Sequence, residues 1–115
     1  MSGGLEVDDP SRGQTLAQIE AYLRGVEEGD EVAIRNTHSG ILEYRIATVT
    51  GTKPRAGRLY TDQAGGYGGT AWYMKSGKNC FYPGGQSRLF VPTNNVRAFA
   101  ANRPLVLTYN THTPE

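Results

Sequence analysis

The stretch from Gly40 to Pro92 constrains the fold most, because short runs of β-branched and aromatic residues alternate there with glycine- and proline-containing turns. Residues 41–50 form its longest run and are the strongest candidate for a strand. Further short strands are predicted at residues 32–36, 58–61, 70–75, 80–82 and 87–91. The pattern predicts a small antiparallel sheet of five to six strands.

A helix is predicted on each side of this β-rich stretch. Thr15 and Gln18 have the spacing of a capping box, and apolar residues then recur along one helical face, which predicts a helix over residues 15–28. Thr93 is a good N-cap for a short second helix over residues 94–101. The chain is therefore predicted to be mainly β, in an α+β arrangement: a strongly bent antiparallel sheet or partly closed barrel between two helices.

The length of 115 residues is that of one domain with its own core. Residues 1–13 are predicted as a flexible lead and residues 14–109 as the domain. Residues 105–109 form either a closing strand or a docked tail, and residues 110–115 a frayed end.

The tetrapeptide Gly29-Asp30-Glu31-Val32 is a step with which SH3-like small barrels often open. Together with the strand spacing, it makes residues 29–92 resemble an SH3-like barrel. This resemblance implies the barrel architecture. It does not imply one function, because such barrels serve as nucleic-acid, peptide and assembly modules.

Charge is distributed unequally along the chain, although the net charge is only +1. Residues 1–31 carry eight acidic and two basic residues, a net charge of −6, whereas residues 32–115 carry three acidic and ten basic residues, +7. Two interpretations follow: the basic part binds an anionic partner, or the acidic helix neutralises the basic sheet within the molecule.

Patterns typical of catalysis or metal binding are lacking. Cys80 is the single cysteine and is predicted to be a buried structural residue, since His38 in a turn and His112 in a tail are poorly placed as bases. These three residues lack the spacing of a zinc site, and Glu43 and Asp62 are the only carboxylates of the β-rich stretch. We therefore expect no enzyme, no catalytic residue, no metal and no cofactor.

The N-terminus has neither the basic nor the apolar segment of a signal peptide, and no run approaches the roughly 18 apolar residues of a membrane span. A single cysteine forms no internal disulfide. We expect a cytoplasmic protein without a membrane partner.

Residues 62–69 contain four glycines, but they run into a predicted strand rather than a helix, which excludes a P-loop and a dinucleotide fingerprint. One interpretation is a flexible hairpin loop. The other is a loop whose bare backbone closes over a ligand, with Tyr67 as a lid or a stacking platform.

Basic and aromatic residues are concentrated in the same β-rich stretch. If Leu59, Trp72, Met74, Leu89 and Val91 point inward, alternation predicts an outward set: Arg58, Tyr60, Ala71, Tyr73, Lys75, Arg88 and Phe90. The candidate ligand-binding residues are Arg58, Tyr60, Tyr67, Tyr73, Lys75, Lys78 and Arg88. Cations bind phosphates and rings stack on bases. The alternative is that tyrosine simply favours strands and arginine keeps sheet edges soluble.

The sequence thus favours a non-enzymatic binding module for a polyanion, either a nucleic acid or a nucleotide. The alternative is a protein-interaction module or inhibitor, such as a phage-encoded antagonist of a host defence protein. In that case the acidic helix, with Glu20, Glu27 and Glu28, is the predicted contact surface. The sequence specifies no oligomeric state.

Overall fold

The computed structural model describes residues 9–38, 41–65, 68–85 and 87–102. It has an α+β fold in which a five-stranded antiparallel sheet curls into a half-barrel between an N-terminal helix and a short C-terminal helix. The elements are α1 (Leu16–Gly25), β1 (Glu31–His38), β2 (Ile41–Lys53), β3 (Arg58–Thr61), β4 (Ala71–Tyr73), β5 (Arg88–Phe90) and α2 (Asn94–Asn102), with a 3-10 turn at Pro54–Ala56. The predicted fold class is confirmed.

The strand order is β4-β3-β2-β1-β5, and every neighbouring pair is antiparallel. The 13 residues of β2 pair first with β1 and then with β3, and the register shifts between Val49 and Gly51. Such a bulge increases the bend of a strand, which lets one strand serve both halves of the curled sheet. Lys78, which follows β4, makes a bridge to Arg88 of β5, so the two ends of the sheet approach each other.

Apolar side chains are buried on both faces of the sheet. Leu59, Trp72 and Leu89 are fully buried in the core, as alternation predicts. On the opposite face, the ring of Tyr44 packs edge-on against Phe90 at 6.1 Å and against Phe99 of α2 at 5.6 Å. This second layer places α2 over one part of the outer face and leaves the remainder open.

Two residues of the predicted outward set are therefore buried. Phe90 lies on the face opposite Leu89, but it is fully buried, with the Tyr44 ring edge-on against it and the Arg35 guanidinium 5.8 Å from its ring centre. Ala71 is buried because its small side chain lies between its neighbours across the sheet, Tyr60 and Cys80. Alternation along a strand predicts to which side of the sheet a side chain points, but it does not predict which other elements cover that side.

The N-terminal helix begins as predicted and ends early. The Gln18 N–H donates to the Thr15 hydroxyl, and the Thr15 N–H donates to the Gln18 side-chain oxygen. The helix ends at Gly25 rather than at residue 28, because Val26 takes an extended backbone and is buried. A separate turn follows, in which the Glu27 N–H donates to the Asp30 carboxylate.

The predicted flexible lead is packed in its described part, residues 9–13. Asp9 and Ser11 are buried, and the Asp9 carboxylate accepts hydrogen bonds from the Ser11 backbone and hydroxyl. Next to this segment, the Gln14 side-chain amide donates to the Val91 carbonyl and accepts from the Val91 N–H. These are the two hydrogen bonds that the backbone of a neighbouring strand would form. The buried charge of Arg35 explains the packing, since Asp9 lies 3.3 Å from its Nε.

Two further strand predictions have different outcomes. No strand forms over residues 80–82, and the isolated bridges at Lys78 and Asn79 come just before this segment. The predicted strand or tail at residues 105–109 and the end at 110–115 lie outside the described residues.

Candidate functional site

Five residues in neighbouring positions across the curled sheet carry four basic side chains and one tyrosine. Lys53 is the register partner of Arg58, and Arg58 is the partner of Tyr73. The Tyr73 N–H donates to the Lys78 carbonyl, and Lys78 in turn bridges to Arg88. Residues directly opposite in antiparallel strands project their side chains from the same face. Lys53, Arg58, Tyr73, Lys78 and Arg88 are referred to below as the basic row.

The basic row lies on the part of the outer face that α2 leaves open. Lys53, Arg58 and Lys78 are exposed, whereas Tyr73 and Arg88 are half-buried. Because neighbouring strands are about 4.8 Å apart, five such positions extend over about 20 Å. The predicted candidates Arg58, Tyr73, Lys78 and Arg88 are thus brought together.

Two cation–π contacts hold one end of the row. The Arg58 guanidinium lies 5.8 Å from the centre of the Tyr73 ring, and the Lys53 ammonium lies 5.7 Å from the centre of the Tyr60 ring. Such contacts stabilise exposed cations by about 0.5–1 kcal/mol. Tyr60 belongs to the adjacent row, where its partners Gly51 and Ala71 are small enough to leave space for its ring.

No acidic side chain in the described part of the chain forms an ion pair with the basic row. The ion pairs between described residues are Arg24–Glu20, Arg35–Asp9, Arg45–Glu43 and Arg97–Glu31. Two of them, at Arg35 and Arg97, join the acidic N-terminal part to the basic remainder. Intramolecular neutralisation therefore occurs, but within the described ranges it does not reach the row.

Arg88 is the most enclosed cation of the row. Its Nε donates to the Ser76 carbonyl at 3.0 Å, and its register partner on β1 is Arg35. Burial, and secondarily the charge of Arg35, lower the pKa of Arg88. A negative ligand beside Arg88 would relieve this repulsion.

Cys80 lies on the same outer face and is partly exposed, not the buried residue that the sequence predicts. Burial raises the pKa of its thiol, whereas the Arg58 charge and a hydrogen bond with Tyr73 act in the opposite direction. A raised pKa keeps the thiol protonated, which disfavours nucleophilic attack.

The glycine-rich loop is anchored at its described residues. The Gly65 N–H donates to the Gly69 carbonyl at 2.8 Å, and the same carbonyl accepts from the Asn79 side chain at 2.9 Å. A Cβ at Gly65 would lie 2.9 Å from Trp72, so close packing alone requires glycine there. Tyr67, the predicted lid residue, lies outside the described residues.

Sequence reasoning missed one residue of the basic row and included one that lies away from it. Lys53 is not among the predicted candidates, yet β2 extends to it and places it opposite Arg58. Phe81 and Tyr82 are highly exposed instead of forming a strand. The predicted Lys75 is exposed but lies in the turn after β4, outside the basic row.

A cleft of about 300 Å³ lies between β2 and α2, away from the basic row, with Arg45 and Arg97 in its lining. Arg45 donates to Gln63 and to the Ala64 carbonyl, and Arg97 donates to Glu31. Both guanidinium groups are thus largely engaged within the protein, so we assign no ligand to this cleft.

The carboxylates of the β-rich stretch are also engaged. Glu43 pairs with Arg45 at 3.9 Å, on its own strand rather than the next, and Asp62 accepts from the Thr48 N–H. In the described ranges, no group of three or more histidine, cysteine, aspartate or glutamate residues is placed to hold a metal ion. No helix among those ranges has the length and apolar character needed to cross a membrane.

Comparison with protein-family models, curated proteins and solved structures gives no match for this chain.

Proposed function

We propose that this chain is a non-enzymatic, cytoplasmic binding module whose open sheet face binds a polyanion, a nucleic acid or a nucleotide. The observation that carries the proposal is the basic row: four cations within about 20 Å on one face, with no acidic partner among the described residues.

Placing cations side by side across a sheet is unfavourable for folding, because like charges opposite one another repel. At Arg88 the neighbouring Arg35 and partial burial both disfavour the charged form. A bound anion would convert this repulsion into attraction. The row is therefore better suited to binding negative charge than to stabilising the fold.

The tyrosines on this face support the same function. Tyr73 and Tyr60 hold Arg58 and Lys53 by cation–π contacts, which limits the number of conformations that these long side chains lose on binding. Their rings also add flat surface beside the cations, the combination found in proteins that bind single strands.

The test is fluorescence anisotropy of labelled single- and double-stranded oligonucleotides over a range of salt concentrations. Each neutralised phosphate contributes a slope of about −0.7 for single strands to the plot of log affinity against log salt. Three or four contacts predict a total slope of roughly −2 to −3. Affinity that stays flat from low to high salt would contradict the proposal.

Charge-removing variants locate the contact. Arg58→Gln and Lys78→Gln should each weaken binding and reduce the salt slope by about 0.7. Arg24→Gln removes the same charge from α1, where Arg24 pairs with Glu20, and is the matched control. Equal losses in all three variants would mean that overall charge, not this face, determines binding.

A second candidate is a protein-interaction module that uses an acidic turn. Residues 27–31 contain four acidic residues, and all five positions are exposed. A basic protein partner fits this surface. The double variant Glu27→Gln with Glu28→Gln should abolish capture of such a partner and leave oligonucleotide binding intact; unchanged capture would exclude the turn.

A further inference from the structure

Phe81 and Tyr82 are the large apolar side chains that the described structure leaves most exposed, at 71% and 47%. Burial of an apolar side chain is favourable relative to its exposure to water. Two adjacent exposed rings therefore form a surface that gains free energy when a ligand covers it.

The backbone that carries these rings is fixed. The side-chain oxygen of buried Asn79 accepts hydrogen bonds from the Phe81 N–H at 2.8 Å and the Tyr82 N–H at 3.3 Å. The nitrogen of the same side chain donates to Gly69 in the glycine-rich loop. One buried amide thus joins the loop to the segment that carries both rings.

Each ring also lies against a glycine. A Cβ added to Gly69 would lie 2.5 Å from the Phe81 ring, and one added to Gly85 would collide with the ring of Tyr82. Glycine backbone therefore supports one side of each ring while much of the remaining surface stays in water. Rings held in this way lose little conformational entropy on binding.

The backbone that carries the rings lies beside the basic row. Phe81 follows Lys78 by three residues, which places their backbones at most about 10 Å apart. Between them, Cys80 lies beside Ala71 on the same outer face as the row. Lys78 is the fourth of the five residues of the row, so a single strand bound along the row passes within about 10 Å of the backbone that carries the rings.

We propose that the ligand is a single-stranded nucleic acid whose phosphates lie along the basic row and whose unpaired bases stack on Phe81 and Tyr82. This inference rests on the proposed function and narrows it. A duplex keeps its bases stacked within the helix, and an acidic peptide matches the charge without a series of flat rings. A free nucleotide is too short to cover both the row and the rings.

The test compares three probes of equal length by anisotropy: a single-stranded oligonucleotide, its duplex, and an abasic strand that keeps the sugar–phosphate backbone. The single strand should bind most tightly. Phe81→Ala should weaken its binding by roughly 5- to 150-fold, the range for loss of one base stack, and leave the salt slope unchanged. The abasic strand should not respond to this variant.

Two substitutions separate stacking from general apolar contact. Phe81→Leu keeps apolar area but removes the flat ring, so it should lose as much affinity as Phe81→Ala. Phe81→Trp should retain wild-type affinity. Since the ring is exposed, the unfolding transition of all three variants should match that of the wild type.

The outcomes distinguish this inference from the function on which it rests. Base stacking would be overturned by any of four results: equal affinity for the abasic strand, tighter binding of the duplex, equally strong competition by polyglutamate, or no effect of Phe81→Ala while Arg58→Gln weakens binding. Each of these results would still leave a polyanion-binding face. No binding of any probe at low salt would overturn both.

Discussion

The hydroxyl of Tyr44 donates a 2.6 Å hydrogen bond to the buried carboxylate of Asp9, 35 residues earlier in the chain. The same carboxylate lies 3.3 Å from Arg35, in an electrostatic contact, since the buried Arg35 Nε has no hydrogen-bond partner among the described residues. This network attaches the N-terminal segment to the sheet face that α2 covers.

Removal of Asp9 should destabilise the fold strongly. Asp9→Ala leaves the charge of Arg35 buried without a counter-ion, and breaking such a pair costs about 3–5 kcal/mol. The measurement is urea unfolding. Glu20→Ala, which removes an exposed pair with Arg24, should cost only about 0.3–0.5 kcal/mol. Equal effects of the two variants would contradict a structural role of the Asp9 network.

Alkaline conditions should destabilise the protein through Tyr44. Burial, followed by the charge of Asp9, raises the pKa of Tyr44 above its ordinary value of 10.0. Above about pH 10 the unfolded chain therefore releases a proton that folded Tyr44 keeps, so stability falls as pH rises, by up to about 1.4 kcal/mol per pH unit.

Urea unfolding of the wild type and Tyr44→Phe, at about pH 8 and about pH 11, measures this contribution. Tyr44→Phe should show a smaller alkaline loss than the wild type. Tyr22→Phe removes a second phenol whose pKa burial also raises, and it should reduce the loss as well. An identical loss in the wild type and Tyr44→Phe would contradict the prediction.

Asn79 should support both stability and ligand affinity. Asn79→Ala leaves the Gly69 carbonyl and the Phe81 and Tyr82 amides without the side chain that bonds them. The Gly69 carbonyl keeps the Gly65 N–H, whereas the two partly buried amides lose their acceptor at about 1–2 kcal/mol each, so we expect a total loss of about 2–4 kcal/mol in chemical denaturation. Asn95→Ala, on the exposed side of α2, should stay within about 0.5 kcal/mol.

Gly77 should be intolerant of any side chain. It has a φ of +74°, and a Cβ there would lie 2.7 Å from the Leu89 carbonyl oxygen of β5. Gly29 has a φ of +96° with nothing within 4 Å, so Gly29→Ala measures backbone strain alone, about 1–2 kcal/mol. Gly77→Ala should lower the thermal midpoint clearly more than Gly29→Ala, and equal shifts would contradict close packing at Gly77.

Cys80 reports directly on occupation of the open face. It is the single cysteine of the chain, so an alkylating reagent labels one site. Because burial raises the pKa of the thiol, labelling should be slow near neutral pH and faster as pH rises. A saturating oligonucleotide should slow labelling further, measured by mass spectrometry. Labelling that the oligonucleotide does not slow would place binding elsewhere.

Local sequence predicted those features that depend on local interactions. The capping box starts α1 because its two hydrogen bonds involve only residues 15–18. Alternation correctly exposes Arg58 and buries Leu59, since successive residues of a strand point to opposite faces. The end of α1 was misplaced because the burial of Val26 depends on residues distant in the chain.

The sequence by itself determined the class of fold and the side of each strand on which its cations lie. Only the tertiary structure decided that Lys53, Arg58, Lys78 and Arg88 form one row, that Phe90 is buried beside Tyr44, and that Asp9 is buried. The reason is that a strand's alternation has a period of two residues and carries no information about which strand lies beside it. Register and coverage depend instead on hydrogen bonds and packing between distant segments.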